Sequence, residues 1–106
     1  MDYKKQSFKD KTIKDLNTEK DVNVSVIGKI IDIKDDIAII DDGTGTIRVI
    51  FENSAKDLKV GDIIKVFGQL ITVQGSPEIR VEVYSVMKGL DLNLYKKYLE
   101  LRDENV

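Results

Sequence analysis

The sequence contains no cysteine, no histidine and only one proline among its 106 residues. Without cysteine and histidine it can form no disulfide, no zinc site of the usual ligand type, no thiol nucleophile and no imidazole acid–base group. It also lacks an apolar run of about 18 residues, and its charged N-terminus has no apolar stretch typical of a signal peptide. We therefore expect an intracellular, non-catalytic protein that needs no metal or cofactor.

Length and charge narrow the possibilities further. The chain has the length of one domain, and 42% hydrophobic residues suffice for one compact core. Its 17 basic and 19 acidic side chains nearly cancel, so the molecule as a whole does not attract a polyanion. Any nucleic-acid binding would therefore require a local basic patch.

Alternating apolar and polar residues predict five β-strands, two of them long. The strands are expected at about residues 22–33, 37–40, 47–51, 63–73 and 78–86. Gly28 and Gly68 lie inside the two long strands and predict kinks or bulges there. Between the third and fourth strands, Asn53 or Ser54 can cap a single helical turn, and Gly61 begins a turn.

The alternation also predicts which side chains face the core. In the last strand we expect Ile79, Val81 and Val83 inward, and Arg80, Glu82 and Tyr84 outward. Phe51 is expected to pack inward, and Phe67 to lie on the face opposite Val66.

The two ends of the chain differ from this pattern. The first 20 residues form a basic arm, either a solvated tail or a nucleic-acid contact, that carries Lys4, Lys5, Lys9, Lys11 and Lys14. The segment LDLNLYKKYLELRDE fits an amphipathic helix with Asp91 as its cap. The apolar side of that helix is broad and comprises Leu92, Leu94, Tyr95, Tyr98, Leu99 and Leu101. It could cover one end of its own barrel or join helices of partner subunits, and we favour the second.

Five strands, two mid-strand glycines and one helical turn after the third strand are typical of a small all-β protein, the five-stranded Greek-key OB-fold barrel, here followed by a C-terminal amphipathic α-helix. The segments VSVIGKIIDI, IIDDGTGTIRVIF, LKVGDIIKVFGQL and PEIRVEVYSV resemble the OB-fold single-stranded-DNA-binding proteins of the replication protein A type, above all the small and middle subunits. The resemblance covers about residues 12–88. It divides the chain into a basic arm (1–20), a barrel (21–88) and an assembly helix (89–106).

The acidic, glycine-rich stretch DDGTG admits three interpretations. A phosphate-binding loop would need a following Lys-Ser or Lys-Thr and a helix, both of which are absent here. A calcium loop that starts at Asp41 would have Gly43, Gly45 and Thr46 at positions where carboxylates and the turn glycine belong. We therefore expect a hairpin in which Gly43 and Gly45 take positive φ and Asp42 or Thr44 bonds nearby backbone.

The resemblance implies that an oligonucleotide would lie across the second and third strands, between the first and the last loop. The expected contacts are Lys34, Arg48, Ile50, Thr72, Val73, Gln74, Ser76, Arg80 and Tyr84. Arg48 could contact phosphate or a base, or could instead pair with Asp41 or Asp42. Ile50 and Val73 stand where the family carries stacking aromatics, so stacking should contribute less than the usual ~1–3 kcal/mol per base.

These observations favour a non-catalytic, archaeal subunit of a replication protein A-like complex, with roles in DNA replication, repair and recombination. It would bind single-stranded DNA weakly and without base specificity, dock to a larger subunit through its C-terminal helix, and be associated with the nucleoid. The alternatives are an OB-fold adaptor that binds protein and little or no nucleic acid, and an RNA-binding module.

Overall fold

The structure is a computed structural model that describes residues 8–52 and 57–104. It contains six strands and one helix: β1 (Lys9–Asp10), β2 (Asn23–Lys34), β3 (Ile37–Asp41), β4 (Thr46–Phe51), β5 (Ile63–Val73), β6 (Ser76–Val86) and α1 (Leu92–Glu104). A single 3-10 turn spans Ile13–Asp15. The fourth of the predicted strands corresponds to β5 and has the limits that were predicted for it. The predicted helical turn at Asn53 or Ser54 lies outside the described residues.

Strands β2 to β6 form a closed barrel. Their order is β2-β3-β4-β6-β5, and β5 pairs again with β2 to complete the circle. The pairings are antiparallel except that of β4 with β6, which is parallel. The short strand β1 adds to β2 in parallel. The prediction of an all-β, five-stranded barrel followed by one helix is confirmed.

Strand β2 belongs to two sides of the barrel, because its two halves have different partners. Its first half, Asn23–Lys29, pairs with β5, and its second half pairs with β3 from Lys29 onward, with a bulge at Ile31. A Cβ on Gly28 would lie 3.0 Å from the Cβ of Ile40, so a larger residue would press against the opposite strand. A kink or bulge was predicted at this glycine, whereas the bulge of β2 lies three residues further on, at Ile31.

Strand β6 contains a bulge that reverses its alternation. Phe67 pairs with Val83 and Gly68 pairs with Val81, which leaves Glu82 as an extra residue. Val83 therefore points outward and is 60% exposed. Tyr84 turns inward and packs edge-on against Phe51, with ring centroids 5.2 Å apart.

The predicted orientations of Val83 and Tyr84 were therefore wrong, because strict alternation was extended through the bulge. Those of Ile79 and Val81, both buried, and of Arg80, which is exposed, are confirmed. Gly68 makes the bulge possible, since a Cβ there would collide with the carbonyl oxygen of Arg80.

The core fills the barrel with aliphatic side chains and the ring of Phe51, which faces inward as predicted. Its fully buried members include Val24, Val26, Ile30, Ile40, Val49, Ile64, Val66 and Ile79. Ile13, from the segment predicted to be an arm, also belongs to this core. The described part of that segment is thus attached to the barrel, while Lys4 and Lys5 lie outside the described residues.

Helix α1 begins as predicted, because Oδ1 of Asp91 accepts hydrogen bonds from the backbone N–H of Asn93 and Leu94 at 2.9 and 3.3 Å. Leu99 on one side of the helix is buried. On another side, Leu94, Tyr98 and Leu101 are 65, 58 and 55% exposed. The apolar side predicted from the sequence is therefore divided. Among the described residues, no helix is long and apolar enough to cross a membrane.

Candidate nucleic-acid interface

The outer surface of β3, β4 and β6 carries two rows of neighbouring side chains. In the first row Ile37 pairs with Ile50, and Ile50 pairs with Arg80. Lys34 extends the row on β2, and Gln69 extends it on β5. This row therefore holds a cation at Lys34, two isoleucines in the middle and a second cation at Arg80.

In the second row Ile39 pairs with Arg48, and Arg48 pairs with Glu78. The Nη1 atom of Arg48 lies 3.3 Å from Oε1 of Glu78. The Glu78 side chain is only 6% exposed, whereas that of Arg48 is 55% exposed. The alternative in which Arg48 pairs with Asp41 or Asp42 was wrong, because the parallel pairing of β4 with β6 brings Glu78 beside it.

Two grooves flank Arg48 on this face. The groove towards the β5–β6 turn, here called the Gln74 groove, measures about 450 Å³ and is lined by Ile39, Thr46, Ile47, Arg48, Val73, Gln74, Ser76, Pro77 and Glu78. The groove towards the β2–β3 turn, the Lys34 groove, measures about 370 Å³ and is lined by Asp32, Lys34, Asp35, Asp36, Ile37, Ala38, Ile39 and Arg48. Arg48 and Ile39 belong to both, so together the grooves cross the face from one turn to the other.

Two tight turns limit these grooves. Asp35 has a φ of 56° in the β2–β3 turn, and Gln74 and Gly75 have φ of 51° and 82° in the β5–β6 turn. Ser76 and Pro77, expected in a loop, already belong to β6. The short turn brings Gln74 and Ser76 close to the sheet surface, where both line the Gln74 groove.

The structure brings seven of the nine expected contact residues to this outer face. Five of them line a groove: Lys34, Arg48, Val73, Gln74 and Ser76. Ile50 and Arg80 lie in the adjoining row. Thr72 falls on the opposite side of β5 from Ile71 and Val73, and Tyr84 turns into the barrel, so neither belongs to the face.

Sequence reasoning missed Glu78, Ile37 and Ile39 as parts of this face. The two isoleucines alternate with the buried Ala38 and Ile40, a signal that they point outward. Glu78 lies two residues before Arg80 and so shares its face. The sequence does not show, however, that Glu78 meets Arg48.

The DDGTG hairpin joins β3 to β4, as predicted, and its side chains bond the backbone. Gly43 has a φ of 88°, and Oδ1 of Asp41 accepts its N–H at 2.7 Å. Gly45 does not have positive φ, contrary to expectation. It is needed for space, because a Cβ there would lie 3.3 Å from Cγ2 of Ile13.

Asp42 links this hairpin to the N-terminal segment. Its Oδ2 accepts the backbone N–H of Ile13 at 2.8 Å, and its Oδ1 accepts the N–H and the hydroxyl of Thr44 at 2.8 and 2.6 Å. The hydroxyl oxygen of Thr44 in turn accepts the N–H of Lys14 at 3.1 Å. The acidic hairpin therefore has a structural role, and it lies outside the row that contains Arg48.

Phe67 lies outward, opposite the buried Val66, as predicted. Its ring meets that of Phe8 edge-on at 5.5 Å, and Nζ of Lys65 lies 5.1 Å from its centroid. Phe67 thus packs beneath the N-terminal segment on a different side of the barrel from the grooves. The face around the grooves carries aliphatic side chains, cations and several exposed carboxylates.

Comparisons with known proteins agree with this architecture. The model of a family described as an OB-fold nucleic acid binding domain matches residues 24–87, which span the five barrel strands. A search of curated proteins returns no match.

Solved structures share the fold. Telomere capping protein Ten1 from S. pombe has a TM-score of 0.74 at 19% identity, over 92% of this chain and 99% of that one. A chain of the S. pombe Stn1–Ten1 complex has a TM-score of 0.57 at 22% identity, over 79 and 77%. A chain of a replication protein A heterotrimer bound to single-stranded DNA has a TM-score of 0.62 at 18% identity, over 74 and 66%.

Proposed function

Because the chain belongs to the family of OB-fold nucleic acid binding domains, we propose that it is a non-catalytic, single-stranded-DNA-binding subunit of a replication protein A-like complex. It binds DNA weakly and without base specificity through the face around Arg48. It docks to a larger subunit through helix α1. The proposal is supported by similar structures that include a chain of a replication protein A heterotrimer bound to single-stranded DNA and a chain of the Stn1–Ten1 complex.

The observation that carries this proposal is the pair of grooves on the two sides of Arg48. They join the β2–β3 turn to the β5–β6 turn, the region in which OB folds hold oligonucleotides. A cation lies at Lys34 and another at Arg80, where each can reach a phosphate. Polar side chains at Gln74 and Ser76 can bond to sugar or phosphate oxygens.

Two features keep the affinity low. The apolar positions of the face are aliphatic, namely Ile37, Ile39, Ile50 and Val73, and they offer contact area without a stacking ring. Asp35 and Asp36 line the Lys34 groove and repel phosphate. Since the contacts to bases are apolar or planar, they do not distinguish one base from another.

Fluorescence polarisation with labelled oligo-dT between about 20 and 200 mM salt tests DNA binding. We expect measurable binding at low salt, and a weaker affinity for the double variant Lys34→Gln/Arg80→Gln. A matched control, Lys88→Gln/Lys97→Gln, removes the same charge from exposed positions outside the face and should bind like the wild type. Absence of binding at about 20 mM salt, alone and with the larger subunit, would refute the proposal.

The exposed side of α1 supports the docking step. Leu94, Tyr98 and Leu101 form an apolar strip on a helix whose opposite side is held by Leu99. Apolar and aromatic side chains of this kind are typical of helix interfaces. The barrel cannot also cover this strip while Leu99 remains buried, so a partner helix is the natural occupant.

Size-exclusion chromatography after co-expression with the replication protein A-like large subunit of the same genome tests docking. We expect co-elution with the wild type and separate elution of the triple variant Leu94→Ser/Tyr98→Ser/Leu101→Ser. The polar control Lys97→Ser/Glu100→Ser should co-elute. Co-elution of the triple variant would exclude the strip as the docking surface.

One observation favours a second candidate, an OB-fold adaptor with little nucleic-acid binding. The buried carboxylate of Glu78 neutralises the most central cation of the face. Under this alternative, Lys34→Gln/Arg80→Gln would weaken binding to the partner subunit.

Competition between oligo-dT and oligo-rU in the polarisation assay separates DNA from RNA preference.

A further inference from the structure

We infer that Arg48 acts as a flat platform for stacking a base, held in place by Glu78, and that Arg80 in the neighbouring row supplies the phosphate contact. The inference rests on the proposed function and assigns different tasks to two arginines on one face. Glu78 is then a positioning residue, since it acts on the nucleic acid only through Arg48.

The buried carboxylate of Glu78 limits what Arg48 can bind. Glu78 is 4% exposed, and Arg48 is its ion-pair partner at 3.3 Å. If Arg48 left to pair with a phosphate, a buried negative charge would remain without compensation, which is strongly unfavourable. A phosphate therefore competes poorly with Glu78 for this guanidinium.

The guanidinium of Arg48 nevertheless remains accessible on its flat faces. Its Nη1 is engaged with Glu78, yet the side chain remains 55% exposed. A guanidinium is planar, so its faces can stack on bases while its edge holds a carboxylate. Arg48 separates two grooves of about 370 and 450 Å³, and Ile39 contributes apolar surface to both. Each groove has room for one base beside Arg48.

Arg80 differs from Arg48 in its surroundings. It is exposed and lies between Ile50 and Gln69 in the first row. Among the residues that the structure describes, no acidic side chain forms an ion pair with it. Its charge is therefore available to a phosphate.

The test compares the same two substitutions at both arginines, with oligo-dT polarisation from about 20 to 200 mM salt. Arg48→Phe is made together with Glu78→Gln, so that no buried charge is left without a partner. This double variant keeps a planar platform and should bind within about threefold of the wild type, with an unchanged salt slope. Arg48→Lys keeps the charge but loses the plane, and should bind about fivefold or more weakly at every salt concentration.

At Arg80 the pattern should reverse. Arg80→Lys should bind like the wild type, whereas Arg80→Phe should reduce the slope of log affinity against log salt by about 0.7, the value for one phosphate contact on a single strand. Glu78→Gln should make that slope steeper by about 0.7, because Arg48 is then free to pair with a phosphate. Circular dichroism of each variant verifies folding.

Two results would overturn the roles assigned to Arg48 and Glu78. Wild-type binding by Arg48→Lys, together with a reduced salt slope for Arg48→Phe/Glu78→Gln, would make Arg48 a phosphate contact. An unchanged slope for a folded Glu78→Gln would remove its positioning role. A wild-type chain that fails to bind oligo-dT at about 20 mM salt, both alone and with the larger subunit, would overturn the proposed function and this inference together, whereas the two patterns above overturn only the inference.

Discussion

Asp42 should contribute more to stability than its neighbour Asp41, although both lie in the same acidic turn. Asp42 is 7% exposed and accepts three hydrogen bonds, one of which comes from the backbone of Ile13, 29 residues away. Asp41 is less buried and accepts one, from Gly43. Replacing each by alanine therefore separates a long-range anchor from a local turn contact.

The hydrogen bonds of Asp42 determine how much its loss should lower the free energy of unfolding. Loss of one hydrogen bond to a charged group costs about 1.5–3 kcal/mol, and a buried N–H without a partner costs about 1–3 kcal/mol. Since these terms overlap, we expect Asp42→Ala to lower the free energy of unfolding by about 2–4 kcal/mol. Asp41→Ala should lower it by less than about 1 kcal/mol, because water can replace its exposed contact. Asp42→Asn retains one acceptor oxygen and should fall between the two.

Urea unfolding followed by far-ultraviolet circular dichroism at pH 7 measures these differences, with equal denaturant slopes as the check for two-state behaviour. Hydrogen exchange of the Ile13 amide should accelerate in Asp42→Ala, since the N-terminal segment loses its attachment. Equal losses of stability for Asp41→Ala and Asp42→Ala, or an unchanged Ile13 exchange rate, would refute the reasoning.

Three further substitutions test the backbone and the core by urea or thermal unfolding. Gly68→Ala should destabilise by about 2 kcal/mol or more, because its Cβ would strike the β6 backbone, and near-wild-type stability would contradict the close approach at the bulge. Tyr84→Ala should lower the free energy of unfolding by about 2 kcal/mol and Val83→Ala by about 0.5 kcal/mol; the reverse order would indicate that Val83, and not Tyr84, faces the core. Gln74→Asn should stabilise by about 0.5 kcal/mol, since asparagine tolerates the left-handed φ of that turn better, and a lower unfolding midpoint would speak against it.

Much of the barrel could be predicted from local patterns. The limits of β5 follow from an unbroken alternation between a turn glycine and a second turn, and Gly28 lies next to Lys29, where the pairing of β2 passes from β5 to β3. The failure at Tyr84 has a clear physical cause. A bulge depends on the partner strand, and only the pairing with Phe67 and Gly68 shows that Glu82 is extra. No property of the last strand alone reveals it.

The face could be predicted only in part, for the same reason. Lys34, Arg48 and Gln74 were expected there because the resemblance supplied the arrangement of strands. The partner of Arg48 was not, since the acids considered from the sequence, Asp41 and Asp42, lie at the same hairpin as Arg48. Glu78 reaches Arg48 through a pairing between distant segments, which alternation within one strand cannot predict.

The parallel pairing of β4 with β6 also bears on how the protein folds. Arg48 and Glu78 are 30 residues apart in sequence, and their strands belong to two different hairpins, β3–β4 and β5–β6. Contacts of this kind carry a high loop-closure cost and are expected late on the folding pathway. Since both grooves meet at Arg48, beside the pairing of β4 with β6, a chain in which only the hairpins have formed would lack the oligonucleotide-binding face. Recovery of oligonucleotide binding during refolding should therefore lag behind the recovery of hairpin structure and report closure of the barrel.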